Sequence, residues 1–365
     1  MIHLRLHAEA EASEPFVMVV GGTGGISLTA AQLEAVGFVV DEDESGIAVA
    51  GQHGLVSIDG ICRDEVLGDV LLIDPQARTA ERLIRANSPH NTLLVTERCD
   101  QLCQMCSQPP KKTHNDRFAL LQKACLLAPN GLVIGITGGE PTLYKQDLLN
   151  LIETVLAARP DLSFHVLTNG QHFDAGDGAR LRNPIFEHVV WGIPIYSAEP
   201  PLHDEIVGKH GAFERLHESF GYLARAGARI ELRTVVLSTN APTFDRLTAH
   251  VTSRLPFIER WAIMQLENIG FARNRWATLL FDHAANFAPI AAAINRAVLH
   301  DQYVQLFNFP LCTVPKQYRR FAVRSISDWK QKFASACAGC SARQSCSGFF
   351  EWHPELDADR WARPI

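Results

Sequence analysis

The feature of this sequence that most constrains its fold is an alternation of strand-like and helix-like segments that begins at Asn91. Short apolar runs, each stopped by glycine or polar residues, alternate with amphipathic stretches such as Gln146 to Ala157. The six strand candidates are Thr92 to Thr96, Leu132 to Ile136, Ser163 to Thr168, His188 to Pro194, Arg229 to Val236 and Trp261 to Leu266. This alternation predicts an α/β fold built on six parallel strands, either an open doubly wound sheet or a partial barrel. Both arrangements place functional groups at the carboxyl ends of the strands.

The first 90 residues follow a different pattern. Short apolar runs at Phe16 to Val20, Ile47 to Ala50, Leu55 to Ile58 and Asp69 to Ile73 are separated by glycines, including GGTGG at residues 21–25. This pattern predicts a small β-rich domain over residues 1–90, which would cap the core or dock a peptide strand along an exposed edge. The α/β core is predicted over residues 91–300, and a cysteine-rich extension over residues 301–365.

Composition excludes some function classes and favours others. The net charge of -6 and the pI of about 6.2 give no support to a nucleic-acid partner. No apolar run approaches the roughly 18 residues of a membrane span, and the first residues lack a signal-peptide core, so we expect a cytoplasmic protein. Seven of the nine cysteines fall in two tight groups. In a reducing compartment such groups indicate metal or redox sites rather than disulfides.

The first cysteine group follows the first predicted strand of the core. Cys99, Cys103 and Cys106 have the spacing C-x3-C-x2-C, so three thiolates can converge on one metal centre. Cysteine thiolates are the usual ligands of a [4Fe-4S] cluster, and three of them leave one iron free. A zinc site completed by a distant histidine, or three unconnected cysteines, would also fit this spacing.

A second motif stands at the end of the next predicted strand, where GLVIGI runs into Thr137, Gly138, Gly139 and Glu140. Glycines allow a ligand to approach the backbone closely, and carbonyl and carboxylate oxygens accept hydrogen bonds from an ammonium group. A lone GGE is more often a turn before a helix. Its position after the cysteine triplet makes the combination specific.

These two motifs together resemble the radical S-adenosylmethionine (radical SAM) superfamily, over roughly residues 91–274. The resemblance implies a partial (β/α)6 barrel, a [4Fe-4S] cluster whose open iron binds SAM, and an external electron donor of the flavodoxin or ferredoxin type. It also implies the reaction: one electron cleaves SAM to methionine and a 5'-deoxyadenosyl radical, which abstracts a hydrogen atom from the substrate.

The same resemblance assigns expected roles to individual residues. Cys99, Cys103 and Cys106 match the cluster ligands. The remaining matches are cofactor contacts: Gly138, Gly139 and Glu140 at the methionine ammonium, Met105 at the adenine, Asn169 and Ser197 at the ribose, and Arg233 at the SAM carboxylate. Arg233 could instead be a structural ion-pair partner. His203 and Asp204 could serve a later proton transfer, or form a turn or helix cap.

The second cysteine group is Cys312, Cys337, Cys340 and Cys346, with the spacing C-x24-C-x2-C-x5-C. Four thiolates suit a saturated [4Fe-4S] cluster or a structural zinc, and spacing alone does not separate them. Beside a radical SAM core the pattern resembles the auxiliary-cluster extensions called SPASM and twitch, which implies a second [4Fe-4S] cluster. Cys62 and Cys125 stand outside both groups, and we expect both to be buried.

A narrower resemblance involves NTLLVTERCDQLCQMCSQPPK, WAIMQLENIGFARN, FPLCTVPKQYRRFAVRSISDWKQKF and CSGFFEW. These stretches resemble the radical SAM maturase of the His-Xaa-Ser repeat peptide system, which implies a ribosomally made precursor peptide as substrate and a second maturase as partner. Ser347 stands where that family's pattern has a second glycine. A radical SAM enzyme of small molecules, a non-catalytic iron-sulfur or zinc scaffold, and an RNA-modifying enzyme remain alternatives.

Overall fold

The computed structural model describes residues 2–21 and 33–365, so all but the first glycine of the GGTGG run lies outside the described residues. The chain forms two compact units. The first comprises Met1–Thr96, Asn115–Thr137 and Tyr144–His165, and the second comprises Glu97–His114, Gly138–Leu143 and Val166–Ile365. No helix in the described part of the chain combines the length and apolar character needed to cross a membrane.

A closed barrel of seven strands makes up most of the first unit. Its strands are β1 (Arg5–Ala10), β2 (Phe16–Val20), β3 (Val36–Glu42), β4 (Gly46–Gly51), β5 (Gly54–Asp59), β6 (Val70–Asp74) and β7 (Thr79–Ile84). They follow one another around the barrel in the order β1-β5-β4-β3-β2-β6-β7. Exposed and buried residues alternate along β1 and β5, because successive side chains of a strand point to opposite faces. The β-rich pattern of the first 90 residues therefore belongs to a barrel with its own apolar interior.

Eight further strands form one sheet, in the order β15-β14-β13-β12-β11-β10-β9-β8. They are β8 (Asn91–Thr96), β9 (Val133–Gly138), β10 (Ser163–Leu167), β11 (Val189–Pro194), β12 (Arg229–Val235), β13 (Arg260–Met264), β14 (Val304–Phe307) and β15 (Ala322–Val323). The pairings from β11 to β15 are parallel. The structure thus has an α/β fold with a parallel sheet, as the periodicity predicts.

The sheet has eight strands, two more than the six that the sequence predicts. All six predicted strands are present, but β14 and β15 add two more. β14 pairs in parallel with β13, with Trp261 opposite Val304. β14 is only four residues long and β15 only two, and such short segments give no alternation that a sequence pattern can reveal. Both lie in the part of the chain that was assigned to the C-terminal extension.

Ten helices lie between or after the strands in the described residues, apart from short 3-10 turns. They are α1 (Arg63–Val66), α2 (Phe118–Leu126), α3 (Lys145–Ala158), α4 (Gly178–Leu181), α5 (Pro200–Val207), α6 (Ala212–Ala226), α7 (Phe244–Arg254), α8 (Trp276–Leu279), α9 (Ala288–Leu299) and α10 (Glu355–Trp361). α3 confirms the predicted amphipathic helix and buries six apolar side chains, among them Leu148, Ile152 and Val155. Its spacing of three and four residues places them on one face.

The two cysteines outside the groups have different surroundings. Cys125 in α2 is fully buried, as expected. Cys62 is exposed, so its predicted burial is wrong. It directly precedes α1, where its Sγ lies 3.5 Å from a Glu65 carboxylate oxygen. A residue at the start of a short surface helix faces water, and the apolar character of a thiol does not change that.

The last part of the second unit contains little regular structure. β16 (Gln331–Lys332) and β17 (Phe349–Phe350) pair antiparallel, and α10 follows them. Phe349, Ala358, Trp361 and Ala362 are buried together, and Cys337 packs against them. This small apolar cluster brings the residues of the second cysteine group close to the last helix.

Candidate metal and cofactor site

The first three cysteines lie in a segment of the second unit, Glu97–His114, that contains no helix or strand. All three side chains are partly buried. The backbone N–H of Cys106 donates to the carbonyl of Cys103 at 3.0 Å, which closes a turn between the second and third thiols. The Gly138–Glu140 motif belongs to the same unit as the cysteine segment.

The Gly138–Glu140 motif contacts the cysteine segment through its backbone. The N–H of Glu140 donates to the carbonyl of Arg98 at 2.7 Å, directly before Cys99. A Cβ at Gly139 would lie 2.2 Å from that carbonyl oxygen and 2.9 Å from the backbone nitrogen of Cys99. Only glycine permits this approach, because the neighbouring atoms belong to the backbone and cannot move aside cheaply. The two sequence motifs are therefore adjacent in space.

Two further glycines hold the same segment, and neither was singled out in the sequence. Gly208 ends α5, where the N–H of Leu102 donates to the carbonyl of Val207 at 3.0 Å. A Cβ at Gly208 would lie 2.6 Å from the Leu102 carbonyl oxygen. A Cβ at Gly270 would lie 2.2 Å from the carbonyl oxygen of Cys106. The cysteine segment is thus fixed at its beginning, middle and end by three glycine contacts.

Burial makes the thiols of the first cysteine group difficult to deprotonate, and a nearby cation would favour the thiolate form. Burial raises the pKa of Cys99 to about 12, and the Gln101 N–H, 3.4 Å from the Cys99 sulfur, only partly opposes this. Burial, and then the neighbouring thiols, raise the pKa of Cys103 above its ordinary value. Thiolates form at such positions only when a metal centre compensates their charge. The raised pKa values argue against reactive free thiolates, and three cysteines in one loop are the type of donor that an iron-sulfur cluster uses.

Ligands of a single metal ion must lie closer together than ligands of a cluster. Within residues 2–21 and 33–365, no three His, Cys, Asp or Glu side chains are grouped closely enough to share one ion. In a four-iron cluster each thiolate binds a different iron atom. The iron and zinc contents of the protein distinguish a four-iron cluster from a single bound ion.

Glu140 is completely buried, and its carboxylate joins two loops. One oxygen accepts from the Thr142 N–H at 2.8 Å and from the Thr168 hydroxyl at 2.6 Å, and the other accepts from the Asn169 N–H at 2.5 Å. The carboxylate thus holds the loop after β9 to the loop after β10. Burial raises its pKa, while these donors oppose the rise. Its role at a methionine ammonium stays a prediction.

Asn169 belongs to a polar network that includes Asp100, the residue after Cys99. The Asn169 amide donates to Asp100 Oδ1 at 2.8 Å, and the Lys209 ammonium and the His172 ring contact Asp100 Oδ2. These partners outweigh desolvation and lower the pKa of Asp100, so the carboxylate is ionised at neutral pH. Asn169 is thereby oriented beside the first cysteine, which is compatible with its predicted ribose contact.

The predicted contacts Met105 and Ser197 are both buried. Met105 is 8% exposed and packs in an apolar cluster with Tyr196 and Leu266, against which Cys103 also lies. Ser197 is fully buried, and its hydroxyl accepts from the Glu199 N–H at 2.9 Å. The apolar surroundings of Met105 suit its predicted place beside an adenine ring, whereas the Ser197 hydroxyl has a partner inside the protein.

Arg233 forms the ion pair that the sequence left as an alternative. Its guanidinium pairs with Glu231, a buried carboxylate that also accepts from Arg260 Nε at 2.5 Å. The guanidinium also lies over the ring of Phe307, 5.9 Å from its centroid. Contact with a SAM carboxylate would compete with this pair, so that role stays a prediction.

His203 and Asp204 take the capping arrangement. The Asp204 carboxylate accepts from the backbone N–H of Gly211 at 2.5 Å and of Phe213 at 2.9 Å, at the start of α6. His203 is buried, its Nδ1 accepts from the Tyr196 N–H at 3.3 Å, and burial lowers its pKa to about 4. Asp204 therefore stabilises the turn between α5 and α6, whereas His203 is bonded to the backbone at Tyr196.

The second cysteine group lines one cavity. Cys312, Cys337, Cys340 and Cys346 all border a space of about 360 Å³, a volume that includes part of the open solvent. Two backbone N–H groups, those of Leu311 and Gly348, each lie 3.3 Å from the Cys346 sulfur. Such N–H donors stabilise a thiolate ligand and tune a bound cluster. The four cysteines thus border one space, and their role as ligands of one metal centre stays a prediction.

The turn at Ser347 does not suffer from the missing glycine. Ser347 is buried, and its hydroxyl donates to the Val323 carbonyl at 2.7 Å and accepts from the Ser325 N–H at 3.1 Å. The left-handed backbone position, with φ of +64°, is occupied by Gly348. A serine therefore fits, because the next residue supplies the conformation that only glycine adopts easily.

The segment that follows the second cysteine group contacts a residue that packs near the first group. The Trp276 indole N–H in α8 donates to a carboxylate oxygen of Asp357 in α10 at 2.9 Å, and its ring lies 5.4 Å from that of His353. Trp276 also packs against the apolar cluster that contains Met105, next to Cys103. The C-terminal part of the chain is therefore anchored on residues that neighbour the first cysteine segment.

Comparison with known proteins adds similarity of structure alone. No protein-family model matches the sequence, and no curated protein matches it. Solved structures of radical SAM enzymes, some with SAM bound, are among those similar to this chain. The crystal structure of Streptococcus suis SuiB aligns over 59% of this chain and 48% of its own, with 16% identity and a TM-score of 0.47. A radical SAM methyltransferase from Sphaerobacter thermophilus aligns over 73% of this chain and 74% of its own, with 12% identity and a TM-score of 0.44.

A third structure, anSMEcpe with bound AdoMet, aligns over 59% of this chain and 62% of its own, with 12% identity and a TM-score of 0.47. This chain thus spans about half the length of the SuiB chain it matches. Because each identity is below 20% and each TM-score is below 0.5, we draw no activity from these similarities.

Proposed function

We propose that this chain is a radical SAM enzyme, in which Cys99, Cys103 and Cys106 hold a [4Fe-4S] cluster with one iron open to SAM. One observation supports it above the others. Three partly buried cysteines belong to one loop, and the backbone of that loop at Arg98 and Cys99 contacts Gly139, so the proposed metal ligands are close in space to a site of close backbone approach. When bound, the cluster and SAM supply the electron transfer that generates a 5'-deoxyadenosyl radical, which takes a hydrogen atom from the substrate.

The residues of the chain position these groups and exclude water. The three glycine contacts fix the cysteine loop, and Glu140 holds the loops after β9 and β10 together. Met105 belongs to the cysteine loop and packs in an apolar cluster, which would keep water away from this side and protect a reactive radical from solvent. Asp100 fixes the orientation of the Asn169 amide, whose contact with a sugar hydroxyl is part of the proposal. No general acid or base is needed for the first step.

The C-terminal cysteines are proposed to hold a second, auxiliary [4Fe-4S] cluster in a SPASM/twitch-like extension. Four thiolates saturate four irons, so this cluster would pass electrons and not bind SAM. The substrate we propose is a ribosomally made precursor peptide of the His-Xaa-Ser type, processed with a partner maturase in the cytoplasm. The sequence stretches that contain both cysteine groups support this proposal. An external carrier of the flavodoxin or ferredoxin type would supply electrons.

The direct experiment is to incubate reduced, reconstituted protein with SAM and to measure 5'-deoxyadenosine. We expect product from the wild type and none from the Cys99→Ala, Cys103→Ala, Cys106→Ala triple variant. Cys62→Ala is the matched control, because it removes an exposed cysteine outside both groups. Product formation by the triple variant would refute the proposed cluster.

A further inference from the structure

The extension around the second cysteine group carries a charge opposite to that of the whole chain. Residues 309–350 contain seven lysines and arginines and one acidic residue, Asp328, within a chain whose net charge is -6. The basic residues are Lys316, Arg319, Arg320, Arg324, Lys330, Lys332 and Arg343. We call the surface of this segment the basic face. A local field of this sign attracts acidic macromolecules and orients them during encounter.

Several of these charges surround the four-cysteine cavity. Arg343 and Arg363 line it, and none of the lining side chains is acidic. Arg324 donates to the carbonyl of Gln344 at 3.1 Å, next to Arg343, and Arg319 donates to the carbonyl of Leu311 at 3.1 Å, next to Cys312. Ile365 also lines the cavity, and its carbonyl oxygen accepts from the Ser341 hydroxyl at 2.5 Å.

Four charged residues of the basic face lie at the protein surface. Lys316, Arg320, Arg324 and Arg343 are exposed. Arg320 and Arg343 lie over the rings of Phe321 and Phe333, at 4.9 and 4.8 Å from their centroids. Among the residues that the structure describes, no carboxylate side chain forms an ion pair with any of these four. Stacking holds two of the guanidinium groups in place without neutralising them.

We propose that the basic face docks an acidic one-electron carrier protein, which exchanges an electron with the cluster held by the four cysteines. In each event the carrier loses one electron and the cluster gains one, or the reverse, so no further reactant is needed. Positive charge at the rim of the four-cysteine cavity would complement the negative surface of such a carrier. The proposal rests on the proposed function only for the cluster, since the basic face itself is a feature of the protein surface.

The test compares two charge-reversal variants of the full-length, cluster-loaded protein. Arg320→Glu, Arg324→Glu changes the basic face without touching a residue that lines the cavity. Arg182→Glu, Arg225→Glu reverses the same number of exposed charges outside the extension. The probe is an acidic flavodoxin, whose dissociation constant and rate of electron transfer are measured at low and high salt. Photoreduced deazaflavin, a small neutral reductant, reports on the cluster without docking.

We expect the basic-face variant to bind flavodoxin about tenfold more weakly at low salt, with the difference shrinking at high salt. The control variant should stay within about twofold of the wild type, and deazaflavin should reduce all three proteins equally. Equal flavodoxin binding by both variants would refute the docking site. The docking proposal would also be refuted if the wild type bound a short RNA but not flavodoxin, and if the basic-face variant lost that RNA binding.

Metal analysis of the same preparations keeps the two proposals apart. Zinc in place of the second cluster's iron would refute the auxiliary cluster of the proposed function, and electron exchange at this face with it. An iron-loaded wild type that binds flavodoxin no better than the basic-face variant would refute the docking proposal alone.

Discussion

Replacing Gly208 by alanine tests whether the end of α5 positions the cysteine loop. Gly208 has a φ of +66°, and a Cβ there would lie 2.6 Å from the Leu102 carbonyl oxygen. Gly211, three residues later, has a φ of +73° with no atom within 4 Å of its Cβ position. An L-residue in this left-handed region costs about 1–2 kcal/mol. Both alanine variants bear that cost, but only Gly208→Ala must also displace the backbone between Cys99 and Cys103.

The expected result separates stability from cluster assembly. Gly211→Ala should lose about 1–2 kcal/mol of unfolding free energy and Gly208→Ala at least as much, measured by denaturant titration. Only Gly208→Ala should lose the first cluster, so that iron falls from about eight to about four atoms per chain and 5'-deoxyadenosine production is lost. Iron is measured after anaerobic reconstitution. Equal iron contents in Gly208→Ala and Gly211→Ala would show that this glycine contact does not position the loop.

Two further predictions concern buried titratable groups. Glu140→Gln should lower the unfolding free energy by about 1–3 kcal/mol, because an amide leaves some of the donors from Thr142, Thr168 and Asn169 unpaired. Isothermal titration should also show weaker SAM binding, and unchanged values for both would contradict its role. The unfolding free energy should fall as pH decreases from 7 towards 4, because burial lowers the pKa of His203 and His353 to about 4 and of His283 to about 3. Unfolded histidines take up protons near pH 6.5, so the unfolded state gains protons first. A His283→Asn variant should lose less stability over this range, and a loss equal to that of the wild type would contradict the explanation.

Local patterns in the sequence were sufficient to predict the strands and the principal helix of the core. The strand at Arg229–Val235 and the helix at Lys145–Ala158 match their predicted ranges to within one residue, because each has a full period of apolar residues. β14 was missed because a strand of four residues is too short to show a repeat of apolar residues. Its place in the sheet depends on pairing with β13, which is a tertiary effect.

The environment of the site could not be predicted in the same way. Asp100 and Lys209 are 109 residues apart in sequence, and Trp276 and Asp357 are 81 apart. Contacts at such separations leave no local signal. Gly208 did leave one, since a glycine directly after an amphipathic helix is the usual C-terminal stop. What the sequence did not reveal is that the carbonyl beside this glycine belongs to the cysteine loop.

Gly348, in the second cysteine group, makes the same kind of close backbone contact as Gly208. Gly348 has a φ of +64°, a Cβ there would lie 2.6 Å from the Lys332 carbonyl oxygen, and its N–H donates to the Cys346 sulfur. Gly348→Ala should therefore move this donor away and release the second cluster. Iron should fall to about four atoms per chain, while SAM cleavage continues because the first cluster is untouched.

Two controls isolate the contact at Gly348. Gly131→Ala carries the same backbone strain, with a φ of +70° and no atom within 4 Å, and Gly339→Ala lies between Cys337 and Cys340 but also meets no atom. Both should keep about eight irons. If Gly348→Ala kept them too, the N–H at Cys346 would not be needed to hold a cluster. If it lost SAM cleavage together with the iron, the two cysteine groups would not assemble independently, and the separation of their roles would have to be abandoned.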